Sequence, residues 1–199
     1  MPTIVGIAGG TASGKSTLAR AVAERVGALH ILHDRYYFTL PDAFRDRPST
    51  YNFDHPVALD TERLIANIAA LRSGQQAALP VYDFKTHTRA PELEEVQPRD
   101  IVIVEGILVF SEPRLCELMD LRCFVDAPDD IRLVRRIRRD LQKRGRTVEA
   151  VLEQYERTVR PMHETFVAPS RDRADLLLDG TAPLAGLIDA VLSRITEVA

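Results

Sequence analysis

The sequence predicts an α/β fold in which a parallel β-sheet is flanked by helices. Short apolar runs, which are typical of buried strands, alternate with segments whose apolar residues recur every three or four positions, as in amphipathic helices. This alternation is typical of βαβ units, whose strands run parallel. The chain has 199 residues, of which 45% are hydrophobic and 28% charged, and it shows no long linker or internal repeat. We therefore expect a single domain over residues 1–199.

Each element can be placed on the sequence from its apolar pattern. The predicted strands are Ile4–Ala8, Leu29–Leu32, Ile101–Val104, Leu121–Val125 and Leu176–Leu178. The predicted helices are Ser16–Val26, Val57–Ser73, Pro113–Met119, Asp129–Arg144, Val148–Val159 and Pro183–Val198. Residues 78–97 interrupt the alternation, because prolines punctuate a mixed apolar and polar run there. This region predicts a β-hairpin that projects from the sheet.

A glycine-rich segment, GIAGGTASGKST, joins the first predicted strand to the first predicted helix. Its spacing completes the pattern G-x-x-x-x-G-K-[ST], the P-loop, in which backbone N–H groups and a helix N-terminus surround phosphate groups. The lysine of this motif reaches the β- and γ-phosphates, and the hydroxyl after it can ligate Mg²⁺. The pattern predicts a P-loop NTPase-type sheet that binds a nucleoside triphosphate. The expected binding residues are Gly9, Gly10, Thr11, Ala12, Ser13, Gly14, Lys15, Ser16 and Thr17.

Two carboxylates follow predicted strands, where ligand-contacting residues collect in open α/β sheets. Asp34 ends the second strand, and a carboxylate there can accept the proton of an attacking hydroxyl. A cap on the next element is the alternative role for this aspartate. Glu105 ends the strand DIVIVE, where an acidic residue can hold Mg²⁺ with Ser16. A surface glutamate in a turn is the alternative there.

Two other groups of residues each allow a functional and a structural interpretation. Asp54 stands two residues before Pro56, which suits the first position of the helix predicted from Val57. It can therefore serve the helix N-terminus or pair with sugar hydroxyls. Tyr82, Phe84 and His87 lie on the predicted hairpin. They can hold a flat heterocycle by stacking and edge hydrogen bonds, or they can attach the hairpin to the body of the protein.

Basic residues are concentrated in one predicted helix and the turn after it. They are Arg132, Arg135, Arg136, Arg138, Arg139, Lys143, Arg144 and Arg146. Helical spacing puts on one stripe Arg132, Arg136, Arg139, Lys143 and Arg146, and on another side Ile131, Val134, Ile137 and Leu141. Like charges at this spacing repel unless an anion neutralises them, and beside a P-loop that anion would be a triphosphate. We expect a mobile lid over residues 128–147; a solvated helix face is the alternative.

Composition argues against several other classes of partner. The net charge of −3 predicts no nucleic-acid partner. No apolar stretch approaches the ~18 residues that a membrane span needs, and the N-terminus lacks the pattern of a signal peptide. We therefore expect a cytoplasmic protein without a membrane partner. Cys116 and Cys123 are expected to be buried free thiols.

Several motifs, taken together and in order, resemble those of a known kinase family. They are GIAGGTASGKST, HDRYY, YNFDHP, LPVYDF with HTR, VIVEGIL, FVDAPDDIRLVRRIRRDLQKRGR and QYERTVRPMHETFVAPS. Over about Ile4–Leu178 the chain is similar to uridine/cytidine kinases of the phosphoribulokinase/uridine kinase group. The resemblance implies Mg²⁺-dependent phosphoryl transfer from ATP or GTP to the 5′-hydroxyl of uridine or cytidine, in pyrimidine salvage. It also implies a homo-oligomer, typically a tetramer.

The resemblance further implies roles for individual residues. Asp34 matches the general base, and Ser16 and Glu105 match the Mg²⁺ ligands. The remaining expected catalytic residues are Lys15, Arg139 and Arg144. The expected nucleoside-binding residues are Tyr37, Phe53, Asp54, Tyr82, Phe84, His87, Arg136, Arg146 and Gln154.

Three alternative functions are compatible with a P-loop. The first is another small-molecule kinase, such as phosphoribulokinase or pantothenate kinase, although His87 on the hairpin favours a pyrimidine nucleoside. The second is a nucleotide-binding switch without an acceptor, but the sequence contains no Asn-Lys-x-Asp guanine-binding motif. The third is a nucleic-acid-binding module that uses the arginine stripe, which the net charge disfavours.

Overall fold

A five-stranded parallel sheet forms the centre of the computed structural model, which describes residues 1–198. Its strands, in spatial order, are β2 (Leu29–Leu32), β5 (Ile101–Glu105), β1 (Thr3–Gly9), β6 (Leu121–Asp126) and β7 (Leu176–Asp179). Each neighbouring pair is parallel. The prediction of a parallel α/β fold is therefore confirmed. The single-domain assignment stays a prediction, and its last residue, Ala199, lies outside the described residues.

Helices cover both faces of the sheet. They are α1 (Lys15–Val26), α2 (Thr61–Arg72), α3 (Pro113–Cys116), α4 (Asp129–Arg144), α5 (Val148–Gln154), α6 (Arg160–Met162) and α7 (Leu184–Val198). Successive residues of β1 belong to different cores, because side chains alternate across a strand. Ile4 packs in the core that contains α2, and Val5 packs in the core of α1 and α7. The central strand is thus buried on both faces, as parallel sheets require.

The loop between β1 and α1 has backbone conformations that favour glycine. Gly9 and Gly14 have φ angles of 149° and 108°, in the region that L side chains rarely adopt. A Cβ atom on Gly9 would also collide with the backbone carbonyl of Val125 on β6. Helix α1 ends in the same way, with Gly27 at φ 66° and its N–H bonded to the carbonyl of Ala23. Glycine therefore allows the tight turn that begins the phosphate-binding loop.

The predicted hairpin is present as a separate antiparallel pair of strands. Strands β3 (Ala77–Asp83) and β4 (Thr88–Val96) pair along their length, with a shift in register between Pro80 and Tyr82. His87 sits in the connecting turn with a left-handed φ of 56°, and its carbonyl accepts a hydrogen bond from the Leu40 N–H. That bond ties the tip of the hairpin to the loop that follows β2.

Helix α2 begins later than the sequence predicts, so the predicted start at Val57 is wrong. Pro56–Ala58 forms a short 3₁₀ turn, and Leu59 then extends to pair with Tyr37. The helix starts after Asp60, whose side chain accepts a hydrogen bond from the Arg63 N–H. Asp60, and not Asp54, is the N-terminal cap.

Two other helix boundaries also differ from the prediction. Helix α3 is shorter than predicted and ends at Cys116. The helix expected to end at Val159 continues instead to Val167 through two π-helical segments, Tyr155–Val159 and His163–Val167. Pro161, which has no N–H to donate, lies between these wider turns. Among the described residues, no helix is both long and apolar enough to cross a membrane.

The glycine at the end of β1 should be required for stability. We expect Gly9→Ala to lower the free energy of unfolding by about 1–3 kcal/mol, because the new methyl group collides with β6 and the backbone conformation is strained. The measurement is urea denaturation followed by circular dichroism. The matched control is Gly186→Ala in α7, where a Cβ meets nothing within 4 Å. It should leave stability unchanged or raise it. Equal stability of the two variants would contradict this account.

Candidate active site

The phosphate-binding loop opens into a cleft of about 550 Å³. Residues 12–17 of the loop and the start of α1 line one wall, and Arg135 and Arg139 of α4 line another. Gly180 and Leu184, at the β7–α7 connection, also line the cleft. Lys15 is buried at the start of α1, directly after the loop. The cleft therefore combines cationic groups and backbone N–H groups with apolar side chains, as a nucleoside triphosphate requires.

The first three residues of the predicted phosphate-binding set, Gly9, Gly10 and Thr11, contact β6 and α4. Gly9 packs against β6, and a Cβ on Gly10 would meet the guanidinium of Arg132. The Thr11 hydroxyl accepts a hydrogen bond of 3.0 Å from Arg136. These residues join the loop to α4, so the position of the loop depends on that helix.

Ser16 and Glu105 lie together at the carboxyl edge of the sheet. The Ser16 hydroxyl donates a hydrogen bond of 3.1 Å to Oε2 of Glu105, which is buried at the end of β5. A hydroxyl and a carboxylate are oxygen ligands of the kind that Mg²⁺ prefers. No cluster of three or more His, Cys, Asp or Glu suited to a metal occurs in residues 1–198. A site that binds Mg²⁺ through one or two protein oxygens and substrate phosphates needs no such cluster.

Asp34 lies in the 3₁₀ turn that follows β2, and the residue is exposed at the surface of the protein. Desolvation by the surrounding protein raises the pKa of Asp34, and the nearby Glu105 carboxylate raises it further. Lys15, Arg144 and Arg139 act in the opposite direction. The structure therefore brings Asp34 within electrostatic range of the P-loop lysine, the Glu105 carboxylate and two arginines of the predicted lid. No side-chain hydrogen bond caps this turn.

Asp54 is a second carboxylate in the same region. Desolvation raises its pKa, Arg136 lowers it most among the neighbouring charges, and Asp34 raises it. Its backbone N–H is bonded to the side chain of Asn52 at 3.2 Å. Because Asp60 caps α2, the Asp54 carboxylate has no capping role and remains available to a ligand.

Aromatic side chains form a wall beside the two carboxylates. The Tyr37 ring meets Phe53 edge-on at 5.4 Å and Tyr82 at 5.7 Å, and the Phe53 ring lies 5.0 Å from His87. The Tyr37 hydroxyl is bonded to the Phe53 carbonyl, whereas the buried Tyr82 hydroxyl has no partner in residues 1–198. Phe84 packs against Tyr82 but stays half exposed. Packing thus joins the hairpin to the body. The Tyr82 hydroxyl is left with no hydrogen-bond partner among residues 1–198, so it can bond to a ligand.

His87 is a neutral imidazole at neutral pH. Desolvation lowers its pKa, and the positive charge of Arg144 lowers it further. A neutral imidazole has one donor and one acceptor nitrogen. The hairpin tip can therefore offer either kind of hydrogen bond to a ligand that lies against Phe53.

Helix α4 turns its charged face inward, so the interpretation as a solvated arginine face is wrong. Arg132 and Arg136 are only 2% and 5% exposed, whereas Val134 and Leu141, on the apolar side, are 45% and 40% exposed. The side chain of Gln154 is buried and accepts hydrogen bonds from Arg136 at 2.9 Å and from Arg146. Gln154 therefore joins α5 to the arginine-rich segment.

Sequence reasoning missed one residue of this cluster, Asp140. Its carboxylate is fully buried among the arginines of α4 and the turn that follows. The signal was available, because Asp140 is the single acidic residue among positions 131–147 and lies four residues after Arg136. A second missed contact is that of Arg135, which donates a 2.9 Å hydrogen bond to the Gly180 carbonyl at the end of the cleft.

Asp34 and Asp54 lie within electrostatic range of each other and of Lys15 in the phosphate-binding loop. A phosphate-binding loop with carboxylates beside it is the arrangement of a P-loop kinase, and we classify the chain as one. It belongs to the Phosphoribulokinase / Uridine kinase family, whose model matches residues 4–182. The assignment therefore covers the sheet, the hairpin, α4 and the β7–α7 connection.

Curated relatives and solved structures agree with this assignment. The chain is 48% identical over 197 residues to a protein named uridine kinase from Chloroflexus aurantiacus, covering 98% of this chain and 94% of the relative. It is 40% identical over 203 residues to a uridine kinase from Bacillus anthracis, covering 99% and 94%. The fold resembles phosphoribulokinase from Rhodobacter spheroides, with a TM-score of 0.63, 18% identity and coverage of 92% and 74%. It also resembles a possible uridine kinase from Bacillus stearothermophilus, with a TM-score of 0.56, 21% identity and 89% coverage of both chains.

The Asp34 carboxylate should be required for turnover but not for binding of the triphosphate. We expect Asp34→Asn to lower kcat by about 10²–10⁴-fold, because the amide keeps the shape but cannot accept a proton. The measurement is steady-state turnover together with the affinity for a non-hydrolysable ATP analogue. The control is Asp189→Asn, an exposed position on α7, which should behave as the wild type. Wild-type turnover in Asp34→Asn would exclude Asp34 as the base.

Proposed function

We propose that this protein transfers the γ-phosphoryl group of ATP or GTP to the 5′-hydroxyl of uridine, cytidine or both. The observation that carries the proposal is the position of Asp34, which lies within electrostatic range of Lys15 in the phosphate-binding loop and of Tyr37 and Tyr82 in the aromatic wall. An acceptor on that wall would present a hydroxyl to the base and to the γ-phosphate at the same edge of the sheet. The names of relatives at 39–48% identity support the choice of a nucleoside.

The chemistry follows from the groups at this edge. Lys15 and the backbone N–H groups of the loop hold the donor phosphates. Ser16 and Glu105 would hold Mg²⁺, whose charge neutralises phosphate oxygens during transfer. Asp34 accepts the proton as the acceptor oxygen forms its bond to the γ-phosphorus. The bond from that phosphorus to the β–γ bridging oxygen then breaks, which gives a nucleoside monophosphate and the donor diphosphate.

The acceptor site suits a pyrimidine nucleoside better than a sugar phosphate. Phe53, Tyr82 and His87 supply a flat aromatic surface with polar groups at its edge, and Asp54 can accept hydrogen bonds from two ribose hydroxyls. A sugar phosphate has no aromatic ring that could stack on such a surface, so phosphoribulokinase activity is the weaker proposal. Pantothenate lacks an aromatic ring as well. Tyr37 and Phe84 complete this wall.

The predicted lid completes the charge balance of the site. Arg139 and Arg144 face Asp34 and would stabilise negative charge on the phosphoryl group in transit. Arg136 and Arg146 both donate hydrogen bonds to the side chain of Gln154. A homotetrameric assembly, which the family resemblance implies, and a cytoplasmic location, which the sequence composition suggests, stay predictions.

A substrate panel tests the proposal directly. The purified protein is incubated with ATP or GTP, Mg²⁺ and one acceptor at a time, and the products are separated by chromatography. We expect 5′-monophosphates from uridine, cytidine or both, and none from adenosine or guanosine, because we expect the hairpin to exclude a second fused ring. Transfer to ribulose 5-phosphate or pantothenate alone, or hydrolysis without transfer, would contradict the proposal.

His87 should determine the balance between the two pyrimidines. Uracil has a carbonyl acceptor at position 4 and cytosine an amino donor, and neutral histidine can serve either. We expect His87→Phe to change the uridine-to-cytidine ratio of kcat/KM by about tenfold, because one base is left with an unpaired polar group. The KM for ATP should not change. The control is Glu92→Gln on the exposed face of the same hairpin. An unchanged ratio, or a wild type that accepts one base only, would exclude this role for His87.

A further inference from the structure

Asp140 lies at the centre of the arginine cluster on α4. Four guanidinium groups are within 4 Å of its carboxylate, although the side chain of Asp140 is completely buried. The nitrogen-to-oxygen distances are 2.8 Å to Arg139, 3.6 Å to Arg144, 3.7 Å to Arg146 and 3.8 Å to Arg136. One carboxylate thus holds together four side chains that would otherwise repel one another.

This cluster keeps an excess of positive charge. Four guanidiniums and one carboxylate leave three positive charges in the group. Asp54 is the other acid that faces Arg136, and Asp34 faces Arg139 and Arg144. These carboxylates reduce the repulsion among the arginines, and the remaining positive charge can still attract a triphosphate.

The contacts of Asp140 leave the ends of two arginines unused. Arg139 donates one hydrogen bond to it through Nε, which is the only side-chain hydrogen bond that Arg139 makes with the residues described. Arg139 also lines the cleft beside the phosphate-binding loop, and its two terminal nitrogens make no hydrogen bond to those residues. Arg144 approaches Asp140 at 3.6 Å, which is beyond hydrogen-bond distance. Arg136 and Arg146, by contrast, are already bonded to Gln154.

We propose that Asp140 is a positioning residue for phosphoryl transfer. It holds Arg139 by the inner nitrogen and Arg144 by charge, so that their terminal nitrogens point at the phosphoryl group as its charge develops. Asp140 itself does not touch the substrate. The inference rests on the proposed kinase function and adds to it the group that orients the lid arginines. A purely structural ion pair would stabilise the helix without affecting the transition state.

The first test separates these two roles through kinetics. We expect Asp140→Asn to lower kcat by about 10–100-fold, since small displacements of a catalytic group have effects of this size. The KM for uridine should change by less than about twofold, because Arg136 and Arg146, the two arginines expected to bind the nucleoside, are also held by hydrogen bonds to Gln154. In an Arg139→Ala background the same substitution should lower kcat by much less, because its main target is absent. Equal loss in both backgrounds, or wild-type kcat in Asp140→Asn, would overturn the inference.

The second test leaves the buried aspartate in place, so it decides the matter even where Asp140→Asn fails to fold. Arg139→Lys keeps the positive charge, but a single ammonium cannot bond Asp140 and also reach the phosphoryl group. We expect kcat to fall about as far as in Arg139→Ala. The matched control is Arg157→Lys, an arginine in a surface pair with Glu153, which should behave as the wild type. Near-wild-type kcat in Arg139→Lys would also overturn the inference.

Activity of the wild-type protein tests the proposed function separately from the role of Asp140. A wild-type protein that phosphorylates no pyrimidine nucleoside contradicts the proposed function. A wild type that does so, with active Asp140→Asn or Arg139→Lys variants, contradicts only the role of Asp140. Thermal unfolding of every variant shows which losses of turnover arise from loss of the fold.

Discussion

Two carboxylates share one edge of the sheet with the phosphate-binding loop, and the rest of the site depends on their closeness. Strands β2 and β5 are parallel neighbours, with Leu32 opposite Glu105, so Asp34 follows only two residues beyond that position. Desolvation and the charge of Glu105 both raise the pKa of Asp34. Two carboxylates so close together require cations around them. Lys15 is one of these, and the arginines of α4 supply others.

The inward orientation of α4 follows from the same requirement. An amphipathic helix usually buries its apolar side, but here Arg132 and Arg136 are buried and Val134 is exposed. We infer that the attraction between these arginines and the carboxylates contributes more to stability than burial of Val134 and Leu141 would. Asp140 lowers the repulsion within the helix, and Gln154 binds two of the arginines from α5. Asp140 and Gln154 thus hold together the arginines of the predicted lid.

Local pattern predicts most of the fold and part of the site. Periodicity and composition located the strands, and the phosphate-binding motif was evident from spacing alone. The start of α2 was missed because Leu59 pairs with Tyr37, a contact between segments that local pattern does not reveal. The arginine stripe beside a phosphate-binding loop favoured an inward charged face of α4. Local pattern also allowed a solvated face, because the choice depends on charges contributed by distant strands. The role of Asp140 required knowledge of which face of α4 is buried.

The most direct test of this account is the pKa of Asp34 in the ligand-free protein. Carboxyl ¹³C NMR titration can measure it in the wild type and in Glu105→Gln. We predict a pKa above the ordinary value for aspartate in the wild type, because of desolvation and the charge of Glu105, and a lower one in the variant, which has lost that charge. A wild-type pKa at or below the ordinary value, or one unaffected by Glu105→Gln, would contradict the account.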